Sequence, residues 1–474
     1  MPSSIRKALD ELPTTLDGTY ERTLQEIPKE KRQHAHRLFQ CLVVALRPLR
    51  VEELAELFAI EFDADGGPNL RDGWRPENPE DAVVSACSTL IVVIENKRSK
   101  IVQFSHFSVK EFLTSDRLRT SEIGNIRRYH IPLDAAHTIF ARACLSVLLQ
   151  LDENVDKKRL EAFPLAFYAA QHWVDHAQYE DVASRVQDLT VELFDPNKQY
   201  LAAWTWIHDM DLLNWRWVRE TIQDLEELPK RPGATALYYA VLCGFSGLAS
   251  YLITAHAENV NAKCGDHGTP LHAASYEGHL TAARLLLAHG VDVNTTNKHN
   301  KTPLCSAYDG RHLDMMRLLL EHGADVDAYY KSVDLLLHDA SFFGRADALH
   351  LLLQHNANVN ARNIIEETPL HNASEQGQAG AAQLLLEHGA IVDVQNMDHN
   401  TPLYEASRHG RLEIVQILLR HGADVHRRGA RGWTSFQVAT LWGHNDIAQL
   451  LLEHGAENFL LCNSCSAGIM ILQW

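Results

Sequence analysis

The stretch Gly268–His279, GTPLHAASYEGH, decides the fold because related stretches recur along the chain at a fixed spacing. They are TALYYA at 235, TPLHAA at 269, TPLCSA at 302, LLLHDA at 335, TPLHNA at 368, TPLYEA at 401 and TSFQVA at 434. Successive starts lie 34 residues apart once and then 33 residues apart five times. A constant period of this size is the signature of a repeat protein. We therefore predict seven stacked repeats, numbered one to seven in chain order.

Each repeat is expected to contain two helices. Thr269 suits a helix N-cap and Pro270 the first helical position, while Gly278 can adopt the left-handed conformation that ends a helix. A second helix follows in LTAARLLLAHG, where three consecutive leucines form an apolar ridge. The glycine that ends the first helix recurs at Gly244, Gly344, Gly377, Gly410 and Gly443. In the third repeat Arg311 replaces it, and Gly310, one position earlier, is expected to compensate.

His272 could be a catalytic base, a metal ligand or part of the scaffold. The equivalent positions of four other repeats hold Tyr238, Cys305, Tyr404 and Gln437. Because an acid–base catalyst or a metal ligand would not tolerate that variety, we predict a scaffold role.

The repeated pattern, with T-P-L-H-x-A and then L-L-L-x-x-G-A-D-V-N, resembles the ankyrin repeat over residues 231–457. The resemblance implies an α-solenoid that binds proteins, in which His272 forms hydrogen bonds within its repeat and orients the loop. The fourth repeat departs most from the pattern, since YYKSVDLLLHDASFF has leucines in place of Thr-Pro. We expect the array to be least stable near residues 325–345, because a missing N-cap destabilises a helix.

The first 230 residues lack this period. Apolar residues recur at helical spacing in LDGTYERTLQEIP, EKRQHAHRLFQCLVVAL and RVEELAELFAI, which predicts three helices. A loop at 63–79 and a short helix, EDAVVSACS, follow. After them, TLIVVIE and KIVQFSH are predicted to form a hairpin. Helices followed by a hairpin are the plan of a winged helix. LPTTLDGTYERTL, LRPLRVEELAEL and VQFSHFSVKEFL resemble the winged helix that follows the NACHT nucleotide-binding domain in large fungal NACHT–ankyrin signalling proteins.

The expected fold class is mainly α, with a winged-helix domain and a helical connector followed by an ankyrin α-solenoid. The predicted domains are a lead-in helix at 1–14, the winged helix at 15–120, the connector at 121–230, the ankyrin repeats at 231–457 and an irregular tail at 458–474. The connector is rich in tryptophan, and we expect it to cap the first repeat, whose apolar end would otherwise face water. These tryptophans are Trp204, Trp206, Trp215 and Trp217.

Composition narrows the function. The net charge is −17, which disfavours nucleic acid as a partner, and no apolar run is long enough to span a membrane. Scattered cysteines and an N-terminus without an apolar signal core predict a cytoplasmic protein, with the nucleus left open.

The chain contains no Gly-Lys and no His-Glu dipeptide, so it has neither a phosphate-binding loop nor an H-E-x-x-H zinc motif. Cys462 and Cys465 form a single C-x-x-C pair, too few ligands for a structural zinc site. We predict no enzymatic activity, no cofactor and no metal.

Two functions remain open: a protein-interaction module and a DNA-binding winged-helix regulator. The helix before the hairpin carries Glu80 and Asp81 and no cation, which favours the first, although the wing itself is basic. In the interaction model, a partner binds the last turn of the first helices, seven and eight residues after each repeat start. These candidates are Tyr276, Glu277, Phe342, Phe343, Glu375, Gln376, Arg408, His409, Leu441 and Trp442. The alternative for the fourth repeat is that Phe342 or Phe343 packs inward and stabilises the degenerate repeat.

Overall fold

The computed structural model describes residues 15–62, 68–96, 99–152, 155, 157–208, 234–327 and 335–457. The chain divides into two compact units, Met1–Ala257 and Glu258–Trp474, which are considered separately. Both are mainly helical, as predicted. The predicted lead-in helix at 1–14, Trp215, Trp217 and the tail at 458–474 lie outside the described residues. Among the described helices, none is both long and apolar enough to cross a bilayer.

The first unit begins with the predicted helices of the winged helix. Its helices up to residue 127 are Leu16–Glu26, Arg32–Val44, Val51–Ala55, Pro79–Cys87, Phe107–Thr114, Asp116–Thr120 and Gly124–Arg127. Its strands are β1 (Leu49–Arg50), β2 (Ile60–Glu61), β3 (Asn69–Leu70), β4 (Ile91–Asn96) and β5 (Ser99–Phe104). The predicted hairpin is the antiparallel pair β4–β5, in which Val93 lies opposite Val102. The sequence did not indicate that β1 would join it as a third strand, giving the order β1-β5-β4, or that β2 would pair with β3.

The predicted helix over RVEELAELFAI is shorter than expected. It ends at Ala55 and continues as the 3-10 helix Glu56–Ala59. At its start the buried Glu53 carboxylate accepts hydrogen bonds from the Arg47 guanidinium, at 2.8 Å, and from the Arg50 N–H, at 2.8 Å. Burial alone would raise the pKa of Glu53, but these donors lower it below its usual range. The charged group is therefore fixed at the start of the helix.

The connector helices surround an aromatic core. Their bounds are Leu133–Leu148, Lys157–Glu161, Ala166–Ala177, Val182–Arg185, Gln187–Leu193 and Tyr200–Ile207. The indole of Trp173 stacks on Phe245 of the first repeat at a ring separation of 5.4 Å, and Trp204 lies 5.9 Å from Tyr239. Trp204 is buried and donates its indole N–H to the Ala170 carbonyl at 3.0 Å, whereas Trp206 is exposed. The first repeat thus packs on the connector, and Trp173, which the sequence did not single out, forms much of the contact.

The repeats consist of paired helices throughout. The first repeat, in the first unit, contains Ala236–Leu242 and Ser246–His256. In the second unit, the first helices are Pro270–Glu277, Pro303–Asp309, Leu336–Phe342, Pro369–Gln376, Pro402–Arg408 and Ser435–Leu441. The second helices are Leu280–Ala288, Leu313–Glu321, Ala346–Gln354, Ala379–Glu387, Leu412–Arg420 and Asn445–Glu453. Within the second unit, apolar residues on both helices of each pair are buried against the neighbouring repeats, as expected for a solenoid.

The end of the first helix in the third repeat differs from expectation. Arg311 itself adopts the left-handed conformation, with φ 62°, whereas Gly310 is right-handed with φ −69°. The prediction that Gly310 would take over the left-handed position is therefore wrong. Gly310 is required for another reason, since a Cβ at this position would overlap the Tyr276 carbonyl oxygen of the preceding repeat. Close approach between repeats, rather than the sign of φ, explains the glycine.

Candidate protein-interaction surface

The ten predicted residues lie at the ends of the first helices of repeats two, four, five, six and seven. Six are exposed: Glu277, Phe343, Arg408, His409, Leu441 and Trp442. Tyr276, Phe342, Glu375 and Gln376 are half-buried. We call these ten residues the candidate surface. Their exposure is compatible with binding, and their role in binding stays a prediction.

The apolar members of the candidate surface are unusually exposed. The exposed fraction is 55% for Phe343, 61% for Leu441 and 59% for Trp442. Phe343 therefore does not fill the core of the degenerate fourth repeat, which was the alternative to binding. Phe342 is half-buried, and its ring lies 5.0 Å from that of Phe343 in an edge-to-face arrangement. Tyr276 also has an intramolecular contact, since its ring lies 4.6 Å from the His267 imidazole. The exposed apolar area of the candidate surface is concentrated on Phe343, Leu441 and Trp442.

Charged groups occupy the middle of the candidate surface, in repeats five and six. His409 Nε2 lies 4.0 Å from a Glu375 carboxylate oxygen and 3.8 Å from Glu405. An Arg408 guanidinium nitrogen is 3.7 Å from the same Glu405 carboxylate. Glu405 is buried and accepts a hydrogen bond from the Asn400 amide at 2.7 Å, and its burial raises the pKa of the carboxyl. The middle of the surface is therefore mixed in charge, with apolar side chains on both sides.

A row of side chains that sequence reasoning missed supports the candidate surface. It lies ten residues after each repeat start, immediately before the second helix. Arg411 Nε donates to the Glu375 carbonyl oxygen at 2.9 Å, and Gln378 donates to that of Phe342 at 3.3 Å. His444 Nε2 lies 3.2 Å from the Arg408 carbonyl oxygen. These bonds satisfy carbonyl groups that a helix end leaves without partners, and they fix the backbone at Phe342, Glu375 and Arg408. The sequence could have indicated this row, because a side chain with a hydrogen-bond donor recurs ten residues after the repeat starts at 368, 401 and 434.

The histidine at the start of the repeat is part of the scaffold, as predicted. His272 Nδ1 accepts the Thr269 N–H at 3.3 Å and lies 2.8 Å from the Thr269 hydroxyl. Nε2 therefore carries the proton and donates to the Lys301 carbonyl oxygen, 2.9 Å away in the next repeat junction. Burial lowers the pKa of His272 to about 4, so the ring is neutral at pH 7. His371 repeats the arrangement with Thr368 and the Asn400 carbonyl oxygen.

A second ladder, in the loops between repeats, consists of Asn and Asp side chains. Each accepts a backbone N–H from the following loop. The pairs, with distances, are Asn261–Asp292 at 3.0 Å, Asn294–Asp325 at 2.8 Å, Asp327–Asn358 at 3.1 Å, Asn360–Ile391 at 2.8 Å and Asp393–Asp424 at 3.1 Å. These polar groups, which are exposed or half-buried, are thereby paired across five successive loops of the second unit. The repeats that carry the candidate surface are therefore joined by hydrogen bonds at two places, at the ends of the first helices and in the loops between repeats.

Among the described residues of β4 and β5, Lys100 is the only cation, and it is paired. Lys100 on β5 forms an ion pair with Glu80 at 2.7 Å and approaches Glu95 at 3.6 Å. The wing residues Lys97 and Arg98 lie outside the described residues. Because phosphate contacts require free cations, this arrangement does not favour DNA as the ligand.

No cluster of three or more metal-binding side chains is present in the described part of the chain, and Cys462 and Cys465 lie outside it. The buried cysteines, among them Cys41 and Cys144, are free thiols. Burial raises the pKa of both thiols, so neither is a ready nucleophile.

Comparison with protein families agrees with this architecture. The winged helix domain of GPI inositol-deacylase matches residues 20–124. Ankyrin-repeat families match residues 213–297, 237–330 and 337–429, and again residues 409–452. The chain therefore carries a winged helix domain and ankyrin repeats. Ankyrin repeats form a non-catalytic scaffold for protein–protein interaction, so this chain contains a protein-interaction module.

Three individual proteins are similar to parts of this chain. The azaphilone pigments biosynthesis cluster protein L of Monascus ruber is 30% identical over 287 residues, which span 57% of this chain and 58% of that protein. The human ASB11 ankyrin repeat domain is 29% identical with a TM-score of 0.41, and the match covers 48% of this chain and 100% of that domain. The ankyrin repeat domain of Bcl-3, a member of the IkappaB family, is 30% identical with a TM-score of 0.37, covering 40% of this chain and 87% of that domain.

Proposed function

We propose that this protein is a recognition or regulatory scaffold in a fungal NACHT-type signalling pathway and binds a protein partner through the candidate surface. It acts in the cytoplasm without catalysing a reaction. The NACHT assignment rests on the resemblance of the winged-helix segments, and the partner's identity is open.

The observation that carries the proposal is the exposure of Leu441 and Trp442 at the end of the first helix of repeat seven. Two adjacent large apolar side chains, each about 60% exposed, cost solubility unless a partner covers them. Tryptophan and arginine are the residues most often responsible for binding energy at protein interfaces. Arg408 lies at the equivalent position one repeat earlier, and its backbone carbonyl is bonded by His444. The surface therefore offers exposed side chains that favour binding, on a backbone that is held in place. The fixed backbone lowers the entropic cost of binding.

The test is capture of the partner from the protein's own cells, using a photo-cross-linking amino acid at position 445, where Asn445 is exposed and is not a candidate residue. The expected result is a defined cross-linked protein that disappears when Leu441→Ser and Trp442→Ser are added to the chain that carries the same cross-linker. A matched control variant carries Tyr251→Ser and Leu452→Ser, because these side chains are also exposed but belong to second helices. It should capture as well as the wild type.

Equal capture by both variants would show that the candidate surface is not the binding site. Mass spectrometry of the cross-linked protein tests the pathway separately. A NACHT ATPase or its direct partner is expected, and a protein unrelated to NACHT signalling would contradict that part of the proposal.

A further inference from the structure

A cleft of about 590 Å³ lies between the third and fourth repeats. Residues of both repeats line it, chiefly Tyr308, Arg311, Leu313, Met316, Phe343 and Arg345. Its volume is within the range of pockets that hold a small ligand or a few side chains. Phe343 belongs to the candidate surface, so the cleft is continuous with it.

Arg311 is the unusual residue of this cleft. Its backbone is left-handed, with φ 62°, at a position where the other six repeats have glycine. A non-glycine residue in this conformation is strained, and such strain is found most often at functional sites. The Arg311 side chain is exposed, and its guanidinium forms no ion pair with any described residue. The repeat thus retains a strained arginine that has no partner within the described part of the protein.

Arg345, on the opposite side of the cleft, is held in place. Its guanidinium lies 4.3 Å above the Tyr308 ring and 5.8 Å from the Phe343 ring, and it donates to the Tyr308 carbonyl oxygen at 3.1 Å. The buried Tyr308 is fixed in turn by a hydrogen bond from its hydroxyl to the Asp339 carboxylate at 2.7 Å. A guanidinium restrained in this way loses little entropy when it forms further hydrogen bonds.

The lining combines positive charge with apolar surface. Two guanidinium groups face one carboxylate, that of Asp347, and the buried Met316 and the half-buried Leu313 supply the apolar part. An arginine binds a carboxylate through two parallel hydrogen bonds. We propose that the cleft binds an acidic side chain of the protein partner, together with a large apolar side chain next to it in the partner's sequence. This assignment rests on the proposed function, because it names the chemistry of the partner.

The experiment uses the full chain with ¹³C-methyl-labelled methionine, in which the Met316 methyl group reports on the cleft by NMR. The probe is N-acetyl-Phe-Glu-amide, and the matched control probe is N-acetyl-Phe-Gln-amide. We expect a saturable shift of the Met316 signal with the first probe, and binding weaker by about tenfold with the second, since the charge-assisted hydrogen bonds are lost.

Arg311→Gly is the informative variant, because glycine at this position is what the other repeats contain and the fold should tolerate it. It should weaken binding of the Glu probe by about tenfold, whereas Arg317→Ala, an exposed arginine that does not line the cleft, should not change it. An unmoved Met316 signal, equal binding of both probes or unchanged binding by Arg311→Gly would overturn the inference. Tighter binding of a phosphoserine probe than of the Glu probe would overturn the choice of a carboxylate.

The capture experiment at Leu441 and Trp442 does not alter the cleft, so the two proposals fail independently. Capture with no Met316 shift refutes only the cleft. A Met316 shift with no partner captured refutes the scaffold function and leaves the cleft as a binding site for acidic peptides.

Discussion

The His371 imidazole donates from Nε2 to the Asn400 carbonyl oxygen across the junction between repeats five and six, at 3.0 Å. Nδ1 of the same ring accepts the Thr368 N–H at 3.1 Å. One neutral side chain therefore caps its own helix and joins it to the next repeat. Protonation would turn the Nδ1 acceptor into a donor and break its hydrogen bond with the Thr368 N–H, whereas Nε2 could still donate to Asn400.

This relationship predicts the pH dependence of stability. Burial lowers the pKa of both His272 and His371 to about 4, whereas an unfolded histidine titrates near 6.5. Between these values the unfolded chain binds more protons than the folded one, so the free energy of unfolding decreases as the pH falls from about 6.5 to about 4. The loss is on the order of 1–3 kcal/mol for each histidine. Above pH 6.5 their contribution is fully present.

Urea unfolding at a series of pH values measures this effect. The matched variant is His371→Gln, because Gln437 naturally caps Thr434 by accepting its N–H at 2.9 Å. It should keep most of the stability at pH 7.5 and show a smaller decrease on acidification. An unchanged pH profile in the variant would mean that other groups cause the acid sensitivity.

Two adjacent substitutions in the third repeat are predicted to have opposite effects. Arg311→Gly relieves a strained left-handed backbone and should raise the free energy of unfolding by up to about 1 kcal/mol. Gly310→Ala introduces a Cβ that overlaps the Tyr276 carbonyl oxygen, and it should cost about 1–3 kcal/mol although φ at Gly310 suits any residue. Thermal unfolding of both variants tests the pair. Destabilisation by Arg311→Gly would show that the arginine side chain contributes more than its backbone costs.

The ladder of Asn and Asp side chains in the loops predicts that Asn360 contributes more to the free energy of unfolding than its partial exposure suggests. Asn360 accepts the Ile391 N–H at 2.8 Å and donates to the Gly389 carbonyl oxygen at 3.3 Å. Asn360→Ala removes both bonds and should cost about 1–2 kcal/mol. Asp393→Asn, at the equivalent position, should retain or increase stability, because burial raises the pKa of Asp393 and so disfavours its charged form. Chemical denaturation at pH 7 compares them, and equal losses in the two variants would contradict a ladder role.

The fourth repeat should open before the sixth. Leu335 at its N-cap forms no side-chain cap, whereas the Thr401 hydroxyl accepts the Tyr404 N–H at 3.2 Å. Amide hydrogen exchange should therefore be faster in the helix Leu336–Phe342 than in Pro402–Arg408. Leu335→Thr should slow it, with a gain of about 0.5–1 kcal/mol. Equal protection of the two helices in the wild type would refute the prediction.

The repeat pattern was readable from sequence because it depends on local chemistry. Thr at the N-cap, Pro after it and Gly at the left-handed end each act within one helix, so their spacing gave the number and position of the helices. The amphipathic pattern likewise indicated the helices of the winged helix. The ten residues of the candidate surface were found by counting from the repeat starts; six of them are exposed and four half-buried, and their role in binding stays a prediction.

What the sequence could not supply are relationships between residues about 30 positions apart. The donors Gln378 and Arg411 acquire their role only when the preceding helix end lies beside them. Gly310 was misread because its constraint comes from Tyr276 of another repeat, and a backbone angle alone does not reveal such an approach. The cleft between Arg311 and Arg345 likewise exists only because two repeats stack. Helix caps depend on residues close together in the sequence, so the sequence alone predicts them. Steric contacts and cavities between repeats depend on which side chains are packed together, and only the tertiary structure determines that.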